Sequence, residues 1–95
     1  FAPIVSLVKV EDMQSAIDKI NDSPYGLQYS IFTDSLSRAR EFIDASESGG
    51  VVVNDIPTVR FDIQPYGGVK LSGVGREGPR FALEEFTEIQ SVVIF

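Results

Sequence analysis

Hydrophobic positions change their period several times along the chain. The run "IVSLVKV" at residues 4–10 follows Pro3 and is β-branched and nearly continuously apolar. A strand covered on both faces carries such a run, so the pattern predicts a strand there. From Asp12 the spacing lengthens: Met13, Ala16, Ile17 and Ile20 recur at i, i+3, i+4 and i+7, while Asp18, Lys19 and Asp22 fall off the stripe. That is one face of an amphipathic helix. "NDSPYG" ends it, because Pro24 disfavours helical backbone at Ser23 and Gly26 admits positive φ. In "LQYSIFT", residues 27–33, Leu27, Tyr29 and Ile31 alternate with Gln28, Ser30 and Thr33, the period of a strand with one better-buried face. Asp34 or Ser35 then suits an N-cap, and Leu36, Ala39, Phe42 and Ile43 form a second helical stripe closed by "SESGG". "VVVN", residues 51–54, reads as a short strand buried on both faces.

Strands that alternate with helices of this length pair in parallel through right-handed crossovers. The expectation is therefore an α/β fold: two βαβ units sharing a middle strand, part of a doubly wound parallel sheet. After Asn54 both periods stop. "DIPTVRFDIQPYGGVKLSGVGREG" holds two Pro and five Gly in 24 residues, and a long loop of this kind in a compact domain is usually functional or leans on another element. "PRFALEEF" reads as a short helix with Pro79 in its first turn. "EIQSVVIF", residues 88–95, reads as a terminal strand.

Composition narrows the function classes. Zero Cys and zero His among 95 residues remove disulfides, thiolate nucleophiles, imidazole bases and the usual zinc sites from this chain, so no metal site is expected. A formal charge of −6 without a Lys/Arg cluster argues against nucleic acid and anionic membranes as partners. No apolar run nears the ~18 residues of a membrane span. "FAPIVSLVKV" is also too short and lacks the basic flank of a signal peptide. A cytoplasmic setting is expected. The opening residues already read as core without an initiator Met, which suggests further sequence ahead of Phe1.

One motif invites a sharper reading. "SGVGREG" spaces Gly73, Gly75 and Gly78 as a dinucleotide-binding turn does. Such a turn follows a buried strand directly, opens a helix and needs an acidic residue about 20 positions later. The preceding "GGVKLS" is too glycine-rich and polar for a central strand. The glycines are better read as permitting tight turns beneath a packed helix.

Read together, "PYGGVKLSGVGREG" and "ALEEFTEIQSVVI" resemble the C-terminal signature of the NAD(P)-dependent aldehyde dehydrogenase superfamily, P-F/Y-G-G-x-K-x-S-G-x-G-R-E followed by a helix, T-E and a final strand. "NDSPYGL" is similar to the family's N-x-x-x-Y-G-L turn, "FAPIVS" to the end of its E-x-F-G/A-P-V motif, and "VVVND" to its V-N strand. These motifs cover essentially the whole chain. The resemblance implies that residues 1–86 are the C-terminal part of a catalytic domain and residues 87–95 the last strand of an oligomerisation arm. It also implies a homo-oligomer, dimer or tetramer, and NAD or NADP as the parent enzyme's cofactor, with none expected to be bound by this segment. The family oxidises an aldehyde to a carboxylic acid: a Cys thiolate attacks the aldehyde, hydride leaves the thiohemiacetal for NAD(P)+, and water hydrolyses the thioester. No Cys is present, so no catalytic residue is assigned here and the 95 residues alone are expected to be inactive.

Carried over position by position, Phe1 matches the aromatic that in the family lies against the nicotinamide end of the cofactor. Ala2 stands where Gly is commoner. Tyr66 matches the aromatic at the mouth of the substrate channel, and residues 55–64 would form one wall of it. Arg60 in that wall reads either as a surface charge paired with Asp62 or as a guanidinium that binds a carboxylate, phosphate or phosphonate on the substrate. "VNDIPTVRFD" resembles dehydrogenases of lactaldehyde, sulfolactaldehyde and phosphonoacetaldehyde more than broad aliphatic enzymes. Glu88, Ile89, Val92, Val93 and Ile94 match the subunit-joining strand, and an apolar terminal strand needs a partner.

Other groups read more plainly. The adjacent pairs Glu84/Glu85 and Glu11/Asp12 are solvated surface, because neighbours in a helix do not face each other. Lys70, Arg76 and Glu77 read as a scaffold that fixes the glycine-rich loop, and Asn54 either completes its own turn or donates to a nearby loop. The alternative to an enzyme segment is a small acidic α/β interaction module that associates through its terminal strand.

Overall fold

A computed structural model describes residues 2–95. Helix α1 spans Met13–Asn21. It starts where it does because Asp12 is extended and its side chain accepts the Ser15 backbone N–H at 2.8 Å, satisfying one of the helix's orphan donors. Ile17, in the middle of the predicted stripe, is buried. Helix α2, Leu36–Ala45, is capped by Ser35, and its buried residues are Ala39 and Phe42. The two helices are tied at their ends by Asn21, whose amide donates to the Ala45 carbonyl at 2.7 Å and whose carbonyl oxygen accepts from the Glu47 N–H at 3.0 Å.

Two short sheets complete the fold. Strand β1, Tyr25–Gly26, pairs antiparallel with β4, Val69–Lys70. Strand β2, Gln28–Ile31, pairs in parallel with β3, Gly50–Val53, in a register that sets Gln28 against Gly50 and Ile31 against Val53. With α2 between them, β2 and β3 make one βαβ crossover. Helix α3, Pro79–Glu85, follows Gly78, whose φ of 113° an L side chain would strain. The class is α/β, as the periodicity predicts.

Three expectations about individual segments are corrected. Residues 4–10 join no ladder, and Ile4, Val5, Leu7 and Val8 are exposed. One βαβ unit therefore stands where two sharing a middle strand were expected. A strand apolar on both faces needs a layer on each, and among the described residues nothing covers this one. Residues 88–95 are likewise in no ladder, with Ile89 and Phe95 fully exposed. β-branched composition favours an extended chain but supplies no partner edge. The stretch 55–78, by contrast, is not without pairing, since it contributes β4 and an isolated bridge between Tyr66 and Glu77. Ladders this short leave no period in the sequence. Side chains set them instead: the Ser72 hydroxyl accepts the Gly26 N–H at 3.0 Å, beside the Leu71 N–H to Pro24 carbonyl bond.

The radius of gyration is 17.3 Å, against about 12 Å for a compact chain of this length. The exposed apolar segments at the two ends account for the difference in kind: among the described residues the buried apolar core consists of Ile17, Ala39 and Phe42.

Candidate functional site

A cavity of about 260 Å³ lies where the βαβ unit meets the glycine-rich loop. One wall is β3 with Gly49 and the start of β2; the other is Val59, Arg60 and Phe61 with the turn from Gln64 to Gly67. The walls are brought this close by small residues, since a Cβ at Gly49 would run into the Gly67 carbonyl oxygen. Gln28 then fixes the outer wall from below: its amide donates to the Val59 carbonyl at 2.8 Å.

Arg60 and Tyr66, the two residues predicted to face a substrate, come together here. The guanidinium carbon of Arg60 sits 4.3 Å from the Tyr66 ring centroid, a cation–π stack. Its Nη2 donates to Glu77 Oε2 at 2.8 Å. The partner is thus Glu77, and the pairing with Asp62 expected from their proximity in sequence is not formed. Asp62 lies in the turn closed by the Gln64 N–H to Phe61 carbonyl bond at 3.0 Å, while the Tyr66–Glu77 bridge delivers Glu77 to the guanidinium. That bridge is reciprocal, with Tyr66 N–H donating to the Glu77 carbonyl at 3.1 Å and Glu77 N–H to the Tyr66 carbonyl at 2.6 Å.

The rest of the glycine-rich signature is scaffold. Arg76 Nη1 donates to the carbonyls of Gly68 at 3.0 Å and Gly75 at 2.7 Å. Lys70, at a positive φ of 54°, places Nζ 2.5 Å from the Asn21 carbonyl, 3.2 Å from that of Ser23 and 2.7 Å from Glu47 Oε2. One ammonium so fastens the end of α1, the α2–β3 link and β4. Asn54 takes neither of its two expected roles: its Oδ1 accepts the Thr33 N–H at 2.8 Å and closes the end of the β2–β3 pair. Glu84 pairs only with Arg80 on the exposed face of α3.

The remaining predicted residues lie elsewhere. Phe1 falls outside the described residues. Glu88, Ile89, Val92, Val93 and Ile94 are exposed in the terminal segment and none lines the cavity. Sequence reasoning missed Gln28 and Glu47, whose contacts span 31 residues to Val59 and reach Lys70 across the fold. Their polarity within otherwise apolar or small-residue stretches was the available signal. Among the described residues no group of His, Cys, Asp and Glu could hold a metal ion. No helix of the structure is long and apolar enough to cross a membrane.

The residues present do not fit a dinucleotide cradle at Gly73, Gly75 and Gly78. The strand before them is the two-residue, antiparallel β4 rather than a buried parallel strand, and the helix after them has seven residues.

An α/β unit with a polar-rimmed cavity against a glycine-rich loop is the class of protein that this geometry defines. The aldehyde dehydrogenase family model matches residues 1–92. Lactaldehyde dehydrogenase of Methanococcus aeolicus is 43% identical over 94 residues, taking in 99% of this chain and 20% of that protein. 3-Sulfolactaldehyde dehydrogenase of Priestia aryabhattai is 45% identical over 94 residues with the same coverage, 99% and 20%. Among solved structures, the NAD+ complex of an aldehyde dehydrogenase from Bacillus cereus matches with a TM-score of 0.92 at 32% identity, over 97% of this chain and 18% of that one. The chain belongs to the aldehyde dehydrogenase family. It spans about one fifth of the length of the curated relatives it matches.

Proposed function

We propose that these residues form one wall of the substrate channel in an NAD(P)+-dependent aldehyde dehydrogenase that oxidises a small polar or anionic aldehyde to its carboxylic acid. Residues 1–86 are the C-terminal part of its catalytic domain and residues 87–95 the strand that joins subunits into a dimer or tetramer in the cytoplasm. The observation that carries the proposal is Arg60, a permanent cation stacked on Tyr66 and lining a cavity of about 260 Å³. A guanidinium held this way offers paired N–H donors to a carboxylate, sulfonate or phosphonate. The names of two similar proteins, lactaldehyde and 3-sulfolactaldehyde dehydrogenase, support a small polar or anionic substrate.

The division of labour follows from composition. No Cys is present among the 95 residues, so the nucleophile that forms the thiohemiacetal is not supplied by them. What these residues do is orient the far end of the aldehyde and exclude water from one side of the channel. Phe1 stands where the family places an aromatic against the nicotinamide.

The test is steady-state kinetics of the enzyme that carries these residues, over a panel of neutral and anionic aldehydes with NAD+ and with NADP+. The proposal predicts the highest kcat/KM for a small aldehyde bearing an anionic group or an α-hydroxyl. A preference for long aliphatic or aromatic aldehydes would refute it. For the joining strand, light scattering of the 95-residue chain at micromolar concentration is predicted to give a mass above the monomer; a monomer counts against that part.

A further inference from the structure

We infer that Gln28 is a positioning residue for substrate selection, acting through the backbone of the loop that carries Arg60. The inference rests on the proposal that residues 55–64 wall the channel and that Arg60 faces the substrate. Two turns in succession make that wall. The first is closed by the Val59 N–H to Ile56 carbonyl bond at 3.2 Å, the second by the Gln64 N–H to Phe61 carbonyl bond at 3.0 Å, and Arg60 is the junction between them. Each turn bonds to itself, so neither fixes where the wall stands relative to the sheet. Among the described residues, the backbone of 55–64 is joined to the rest of the fold by one hydrogen bond, from the Gln28 amide to the Val59 carbonyl at 2.8 Å. Its target is the residue directly before Arg60.

The position of Gln28 suits it to hold a wall in place. It opens β2, and the parallel ladder with β3 sets it opposite Gly50. The glycine leaves its side chain room, since a Cβ at Gly50 would already stand 3.4 Å from Gln28 Cγ. A carbonyl only accepts, so the amide nitrogen is the end that faces Val59. Two ties then compete for control of the guanidinium. The ion pair of Arg60 with Glu77 is open to water, with side chains 45% and 68% exposed, and pairs of this kind contribute little. The Gln28 bond is part-buried and holds the main chain from which the arginine springs. Losing its donor leaves a partly desolvated carbonyl without a partner. The backbone tie is therefore what keeps Arg60 at the cavity, and Gln28 sets selectivity from the βαβ unit.

The experiment uses the full enzyme with 4-oxobutanoate and butanal, four-carbon aldehydes that differ in a terminal carboxylate. Gln28→Met keeps the length and bulk of the side chain and removes the donor. It is expected to lower the ratio of kcat/KM for 4-oxobutanoate to that for butanal by about threefold, as the fraction of enzyme with the wall in place falls by the strength of one hydrogen bond. In an Arg60→Ala background the same substitution is expected to leave the ratio where Arg60→Ala alone puts it, because the two residues act in series. Hydrogen exchange followed by mass spectrometry is expected to speed up in the peptide spanning residues 55–64 and to stay unchanged in the one spanning 36–45. If Gln28→Met leaves the ratio unchanged, or lowers it as much in the Arg60→Ala background, the inference falls. Faster exchange in both peptides would make Gln28 a support of the whole fold and would also overturn it. Each of these results leaves the proposed function standing as long as Arg60→Ala alone lowers the ratio. If Arg60→Ala does not lower it, the proposed function is what fails.

Discussion

Residues 12–54 bury Ile17, Ala39 and Phe42 to 2%, 4% and 5% exposure, whereas residues 55–78 bury no large apolar side chain. The first region is held by apolar packing of two helices over a parallel strand pair. The second is held by single polar contacts: Gln28 to Val59, Arg60 to Glu77, Arg76 to two carbonyls, Lys70 to three groups. Packing is additive in area and tolerant of which apolar side chain contributes it, but a polar contact fails when one atom moves. On the proposed function, stability and selectivity are separable, with stability residing in the βαβ unit and selectivity in the loop.

The largest effect should come from the packed region. Phe42→Ala removes the largest of the buried side chains and is expected to cost about 3–5 kcal/mol, enough to unfold a chain with so small a core. Loss of the cooperative urea transition followed by circular dichroism is the readout. A shift below about 1 kcal/mol would show that α2 is not what holds the fold together.

Next in size is the loop backbone. Gly75 has φ of 74°, and a Cβ there would meet Glu85 Oε1 at 2.8 Å. Gly75→Ala is expected to destabilise by about 1–2 kcal/mol from the left-handed backbone, with the Glu85 side chain swinging aside. The same urea midpoint measures it. Arg60→Ala should cost under about 1 kcal/mol, because its ion pair is exposed; a larger loss would make Arg60 part of the packing rather than of the site.

The smallest effect concerns pH. Accepting the Ser15 backbone N–H, and secondarily its hydroxyl, holds the Asp12 carboxyl below the usual carboxylate range. A depressed folded value means the contribution is fully present above the unfolded value of about 3.9 and is lost as pH falls through the lower folded value. Acid titration of the parent and of Asp12→Asn should therefore diverge above that window and converge below it. Parallel curves at all pH values would show that the carboxylate's charge adds nothing to the cap of α1.

Much of the βαβ unit was legible because its signals are local. The stripe from Met13 to Ile20, the caps Asp12 and Ser35, and the alternation around Tyr29 each state their own geometry within a few residues. Residues 4–10 and 88–95 were legible as apolar and extended but not as paired, since a strand's composition says nothing about where its partner edge lies. The loop was least legible. Arg60 sits two residues from Asp62 yet pairs with Glu77, 17 residues away, because two residues' worth of bridge between Tyr66 and Glu77 decides the matter. Loop residues that belong together share a motif, but which of their atoms touch is set by the fold.

The central claim is that Arg60 selects the substrate's anionic end. Its most direct test is the ratio of kcat/KM for 4-oxobutanoate to that for butanal, measured in the full enzyme before and after Arg60→Ala. A charge-assisted hydrogen bond worth about 1.5–3 kcal/mol predicts a fall in that ratio of roughly ten- to a hundredfold. An unchanged ratio would contradict it.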